Sequence, residues 1–99
     1  MRYTIENESI RLTVDSHGAE AVSVINVHNG AEMLWRGDAA VWGRHAPILF
    51  PYCGKLTEGK MIAKGVEYAG GQHGFARDVE HTMVRQTADS LVFELHANA

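Results

Sequence analysis

Ninety-nine residues hold at most one domain, and a single core must carry its stability. With 45% hydrophobic residues, 21% charged residues and a net charge of −3, the chain is ordinary globular material without the basic footprint that nucleic acid or anionic lipid requires. The longest apolar run, Ala46–Pro51, is far too short to span a bilayer, so no membrane partner is expected.

The first residues, Met1-Arg2-Tyr3-Thr4-Ile5-Glu6, lack the apolar stretch of a signal peptide, and the single cysteine, Cys53, has no intrachain partner. Both observations point to a reducing, cytoplasmic location. Tyr3–Ile5 and Ile10–Val14 flank the polar turn Glu6–Ser9 and read as a β-hairpin. After the turn Asp15–Gly18, the stretch Ala19–Val27 alternates as a strand, with Ala21, Ser23 and Ile25 on one face and Val22, Val24 and Asn26 on the other. His28-Asn29-Gly30 is a tight-turn signal, because Asn and Gly accept positive φ, and Met33–Trp35 is expected to return as a short strand. Asp38 to Arg44 suit one helical turn capped by Asp38.

Pro47 and Pro51 bracket Ile48–Phe50, which is therefore extended and not a central strand. Lys60–Tyr68 reads as a hairpin turning at Lys64-Gly65, followed by the glycine-rich loop Gly70–Gly74. Val79–Gln86 and Leu91–Leu95, joined at Ala88–Ser90, are the last two strands. No segment carries a helical apolar period over ten or more positions, so the fold class is all-β with antiparallel strands. The strands barely suffice for one layer and part of a second, which reads as an unfinished sandwich.

Six histidines invite a search for chemistry. No pair has the spacing that places two imidazoles on one metal, and His17, His28, His45, His81 and His96 are read as surface or structural. His73 differs: it sits between glycines, with Phe75, Arg77 and Asp78 close behind, where the backbone can approach a ligand closely. Gly54-Lys55-Leu56-Thr57 is not a phosphate loop, since Leu49 stands where the first glycine belongs and no Ser or Thr directly follows the lysine. Trp35 and Trp42 could stack on a sugar ring, but core packing is expected of at least one of them, and Cys53 suits a small buried hydrophobe. No serine sits in a nucleophile elbow.

Three blocks taken together are more specific. Trp42-Gly43-Arg44-His45-Ala46-Pro47-Ile48-Leu49-Phe50-Pro51, then Cys53-Gly54-Lys55-Leu56, then Gln72-His73-Gly74-Phe75-Ala76-Arg77-Asp78 resemble the aldose 1-epimerase (galactose mutarotase) family, in the branch with a His-Gly-Phe-Ala-Arg motif. The resemblance runs from about Tyr3 to Leu95. It implies a galactose-mutarotase-like β-sandwich that interconverts the anomers of aldoses without a metal or other cofactor. A base takes the anomeric hydroxyl proton while an acid protonates the ring oxygen.

Carried over by position, His73 matches the first-half histidine of the substrate site and is the candidate catalytic residue. Lys55, His73 and Arg77 are the candidate substrate-binding residues. Lys55 stands where the family has an arginine, keeping the charge but losing the forked donor set. The family's mid-chain histidine and C-terminal glutamate have no counterpart in these 99 residues. Residues 1–99 are thus expected to be the N-terminal part of one truncated sandwich domain that lacks its acid and base. An aldose or sugar phosphate is the expected ligand. The alternative is a non-catalytic sugar-binding or structural remnant. In either case a homo-oligomer is expected, covering an open face of Ile10, Leu12, Val14, Leu91, Phe93 and Leu95.

Overall fold

Among the described residues every regular element is a β-strand or a single 3₁₀ turn. The computed structural model describes residues 1–96, with the backbone alone at positions 61 and 63. Strands β1 (Arg2–Glu6), β2 (Ile10–Asp15) and β3 (Glu20–Asn26) form an antiparallel sheet in the order β1-β2-β3. Asn7 sets the first turn, its Oδ1 accepting the backbone N–H groups of Ser9 and Ile10, both at 2.8 Å. A bulge places Val22 opposite no residue of β2, since Thr13 pairs with Ser23 and Val14 with Ala21. Two hairpins follow: β4 (Lys60–Ala63) with β5 (Val66–Ala69), and β6 (Thr82–Gln86) with β7 (Leu91–Glu94).

Three expectations are corrected. Met33–Trp35 does not form a strand: the chain returns beside β3 through one bridge, Ile25 to Glu32, and one further bond from Met33 N–H to Val24 O. Glu32 replaces the ladder there, its carboxylate accepting the Val24 N–H at 2.8 Å and the Met33 N–H at 3.1 Å. The Ser23 hydroxyl and these backbone donors hold Glu32 below the usual carboxylate range. Strand β6 begins at Thr82 and not at Val79, because Val79–His81 pair elsewhere. Gly18 N–H bonds Val79 O at 2.7 Å and His81 N–H bonds Ser16 O at 2.8 Å, docking this segment on the β2–β3 corner. Lastly, Trp35 and Trp42 are 39% and 48% exposed and Cys53 is exposed, so none of the three is core. The Trp35 indole N–H donates to Trp42 O at 2.8 Å instead.

The helical turn expected at Asp38 is only an isolated hydrogen-bonded turn, with Ala40 N–H on the Asp38 side chain at 3.0 Å and the Val41 and Trp42 N–H groups on Asp38 O at 3.0 and 2.8 Å.

The core is sparse. Among the described residues only Val14, Val22 and Ala76 are buried apolar side chains, and no large side chain is fully buried. The radius of gyration is 16.1 Å, against about 13 Å for a compact chain of this length. The expected single open face is also divided. Val14 is buried, Phe93 packs edge-on against Tyr3 at 5.7 Å, and Ile10 and Leu12 line a different cleft from Phe93 and Leu95. No helix among the described residues is long and apolar enough to cross a membrane.

Candidate functional site

His73 and Gly74 take successive left-handed conformations, with φ of 62° and 75°. This turns the loop so that Gly74 pairs in parallel with Phe50. The approach requires glycine: a Cβ at position 74 would lie 2.2 Å from the Phe50 carbonyl oxygen. That oxygen accepts the N–H groups of Phe75 at 3.0 Å and Ala76 at 3.2 Å, which fixes the strand-like crossing.

The crossing sets His73 beside Gly54. The His73 N–H donates to Gly54 O, and the Gly54 N–H donates back to His73 Nδ1, both at 2.8 Å. A left-handed non-glycine residue costs about 1–2 kcal/mol, which two hydrogen bonds of roughly 1 kcal/mol each offset. Because Nδ1 accepts, the neutral ring carries its proton on Nε2, so His73 presents a donor. Lys55 follows Gly54 directly and is exposed, so the same clamp anchors its backbone next to the imidazole. Cys53-Gly54-Lys55 and Gln72-His73-Gly74, separate in sequence, therefore meet.

Arg77 is placed differently. The 3₁₀ turn Ala76–Asp78 sets Arg77 in the lining of a charged cleft of about 500 Å³, shared with Glu20, Trp42, Arg44, His45 and Asp78. Neither Lys55 nor His73 lines this cleft. Arg77 keeps a link to the loop from Nη2 to Gln72 O at 3.1 Å, while the buried Nε has no hydrogen-bond partner among the described residues. Arg44 donates to Asp78 at 2.7 Å. That bond and the Arg44 charge, with Arg77 and His17 adding to them, hold the Asp78 carboxyl below its usual range. Glu20 accepts the His45 backbone N–H at 2.7 Å and faces its Nδ1 at 3.2 Å, while His45 Nε2 faces Arg36 O at 3.1 Å.

Sequence reasoning missed these pairings: Arg44 stands in the first motif block, but its partner Asp78 lies 34 residues away and Glu20 lies 25 residues from His45, so no local spacing reports either contact. Among the described residues no group of three or more His, Cys, Asp or Glu side chains is arranged to hold a metal ion.

The aldose 1-epimerase family model matches residues 1–99. The plasmid and chromosomal LacX proteins of Lactococcus lactis subsp. lactis are 32% and 31% identical over 104 aligned residues, covering 100% of this chain and 34% of each relative. The chain thus spans about a third of the length of the curated relatives it matches. Among solved structures, a galactose mutarotase related enzyme from Lactobacillus acidophilus superposes with a TM-score of 0.94 at 43% identity, over 99% of this chain and 33% of that one. A galactose mutarotase-like protein from Lactobacillus casei ATCC 334 gives 0.93 at 36% identity, over 100% and 34%. Agreement at this level in sequence and backbone alike means that the chain belongs to the aldose 1-epimerase family.

Proposed function

We propose that this chain supplies the substrate-holding side of an aldose 1-epimerase site, within a single β-sandwich domain, for a free aldose or its phosphate. The observation that carries the reading is the reciprocal pair between Gly54 and His73, which leaves Nε2–H as an oriented donor with Lys55 adjacent. An oriented imidazole donor suits a sugar hydroxyl or the ring oxygen, where charge changes as the hemiacetal opens. Lys55 adds a cation suited to a hydroxyl or a phosphate oxygen. Arg77 acts from the neighbouring cleft, steadying the loop through Gln72.

Mutarotation needs an acid and a base on opposite sides of the anomeric centre, so the 99-residue chain by itself binds without turning over. The exposed thiol of Cys53 suits a reducing compartment, and we place the chain in the cytoplasm. The half-exposed Ile48, Phe50 and Val92 favour a homo-oligomer, each recovering about 1 kcal/mol when covered.

Titration of the labelled chain with glucose, galactose and their 6-phosphates tests the reading by NMR. Shifts of the His73 ring and Gly54 amide resonances, lost in His73→Ala, are expected. Saturable binding that leaves both resonances unmoved refutes the assignment.

A further inference from the structure

The turn after β3 runs Asn26-Val27-His28-Asn29-Gly30, and of the four asparagines in the chain Asn29 is the one followed by glycine. Gly30 has a φ of 73°, the left-handed region that a tight turn asks of this position. Its N–H donates to Asn26 O at 2.7 Å, and the Asn29 Oδ1 accepts the Ala31 N–H at 2.9 Å. Nothing lies within 4 Å of the place where a Gly30 Cβ would stand, so no packing obstructs this nitrogen from that side.

We propose that Asn29 is a site of spontaneous deamidation, gated by the bond between the Gly30 N–H and Asn26 O. The Gly30 nitrogen gives up its proton and attacks the Asn29 Cγ. A new N–C bond forms, the Cγ–Nδ2 bond breaks, and the amide nitrogen leaves with that proton as ammonia. The succinimide that remains is opened by water. Addition at the side-chain carbonyl restores the backbone with an aspartate. Addition at the backbone carbonyl leaves an isoaspartate, whose main chain runs through the former side-chain methylene.

Two contacts in the turn set the rate. The Ala31 N–H already faces the oxygen on which negative charge gathers when the nitrogen adds to Cγ, so it serves as an oxyanion donor. The Asn26 carbonyl opposes the reaction, since a nitrogen whose proton is held in a hydrogen bond attacks slowly. Breaking that bond opens the gate, which makes the folded turn about three- to tenfold slower than the unfolded chain. The other asparagines lack this combination. Glu8, Val27 and Ala99 each put a side chain next to the attacking nitrogen, and the Asn7 Oδ1 is held by the amides of both Ser9 and Ile10.

The segment also differs from the apolar surfaces of the chain. His28, Asn29 and Gly30 are exposed and carry no large apolar side chain, whereas Ile48, Phe50 and Val92 do. The reaction is internal to the turn and needs water alone, with no ligand or partner. Its product reaches further. An isoaspartate adds a backbone methylene between Asn26 and Ala31, which pair through the Asn26 N–H and Ala31 O at 2.9 Å. The Ile25–Glu32 bridge and the Met33 bond to Val24 O lie just beyond, so the rearranged turn frees the segment that returns beside β3.

The test incubates the 99-residue chain at mildly alkaline pH, with and without urea, and follows each asparagine by peptide mass spectrometry that separates isoaspartate from aspartate. Asn29 should convert first, to both acids, and about three- to tenfold faster in urea. Gly30→Ala should slow conversion in urea, where strain in the fold plays no part. Amide exchange of the isoaspartyl chain, returned to native buffer, should show lost protection at Asn26 and Met33. Asn29 left intact in the folded chain after the unfolded chain has converted overturns the site, as does earlier conversion at Asn7 or Asn26. Equal rates with and without urea overturn the gate. An isoaspartyl chain that keeps both amides protected overturns the structural consequence.

Discussion

Gly74→Ala should be the most damaging small substitution in the chain. Its Cβ would stand 2.2 Å from the Phe50 oxygen, 2.5 Å from the Phe50 carbonyl carbon and 2.7 Å from Pro51 Cδ. Two of those three atoms are backbone, so no rotamer relieves the clash. The φ of 75° adds the left-handed penalty of about 1–2 kcal/mol. Moving Phe50 away breaks its bonds to Phe75 and Ala76, at roughly 1 kcal/mol each. The combined loss is about 3–4 kcal/mol, a large share of the roughly 5–15 kcal/mol that holds an ordinary domain together. Thermal melts at matched protein concentration should show a fall on the order of 15 °C. Amide exchange should report lost protection at Phe75 and Ala76. Gly71→Ala is the control in the same loop, with nothing within 4 Å of its Cβ, and should change stability by less than about 0.5 kcal/mol. If Gly74→Ala melts within about 3 °C of the parent with both amides still protected, the account of the crossing is wrong.

Other expectations concern acid, activity and assembly. Asp78 is depressed chiefly by its bond to Arg44, Glu32 by Ser23, and Asp15 by the His17 amide, the N-terminal ammonium and Arg2 acting against burial. Each contributes stability that is present above its ordinary value near pH 4 and lost as pH falls through the depressed one. Urea midpoints should therefore drop below about pH 4, and Arg44→Gln should shallow that drop by under about 1 kcal/mol, since Asp78 is half exposed. An unchanged acid limb in Arg44→Gln counts against the pairing. Polarimetry of the 99-residue chain with glucose or galactose should give the uncatalysed rate, because losing even one proton-transfer group costs about 10²–10⁴-fold. Mutarotation abolished by His73→Ala would reverse that expectation. Light scattering coupled to size exclusion should return a mass above one chain, and a cooperative monomer persisting at low micromolar concentration would dismiss the oligomer.

The hairpins were legible because period-two alternation and turn chemistry agree there. Lys64 and Gly65 take positive φ of 52° and 77°, as a two-residue hairpin turn demands. Val79–His81 carries the same alternation as β6, yet pairs with the β2–β3 corner; periodicity reports that a segment is extended and is silent on its partner. The same blindness explains Met33–Trp35, where the Glu32 carboxylate accepts the Val24 N–H that a continued ladder would use. His73 stood out through its glycines and its motif, but the partner on its Nδ1, a backbone amide 19 residues away, had no local signature. Arg77 shares that motif, yet the 3₁₀ turn between Phe75 and Val79 carries it into another cleft, so adjacency in sequence overstated adjacency in space.

The clamp between Gly54 and His73 also closes an excursion. Everything between them leaves and returns through pinned ends, with a second tie from Gly70 N–H to Gly59 O at 3.0 Å. Beyond that tie the β4–β5 hairpin forms most of the excursion, and every residue of β5 is exposed. Loop-closure entropy grows only slowly with length, so residues added or removed at the Lys64-Gly65 tip cost little and leave the imidazole in place. The excursion is thus a cassette: its tip and the side chains of Lys64 and Tyr68 are free to diverge while the clamp stays constant. Swapping that hairpin between family members offers a way to change what surrounds the sugar without rebuilding what holds it.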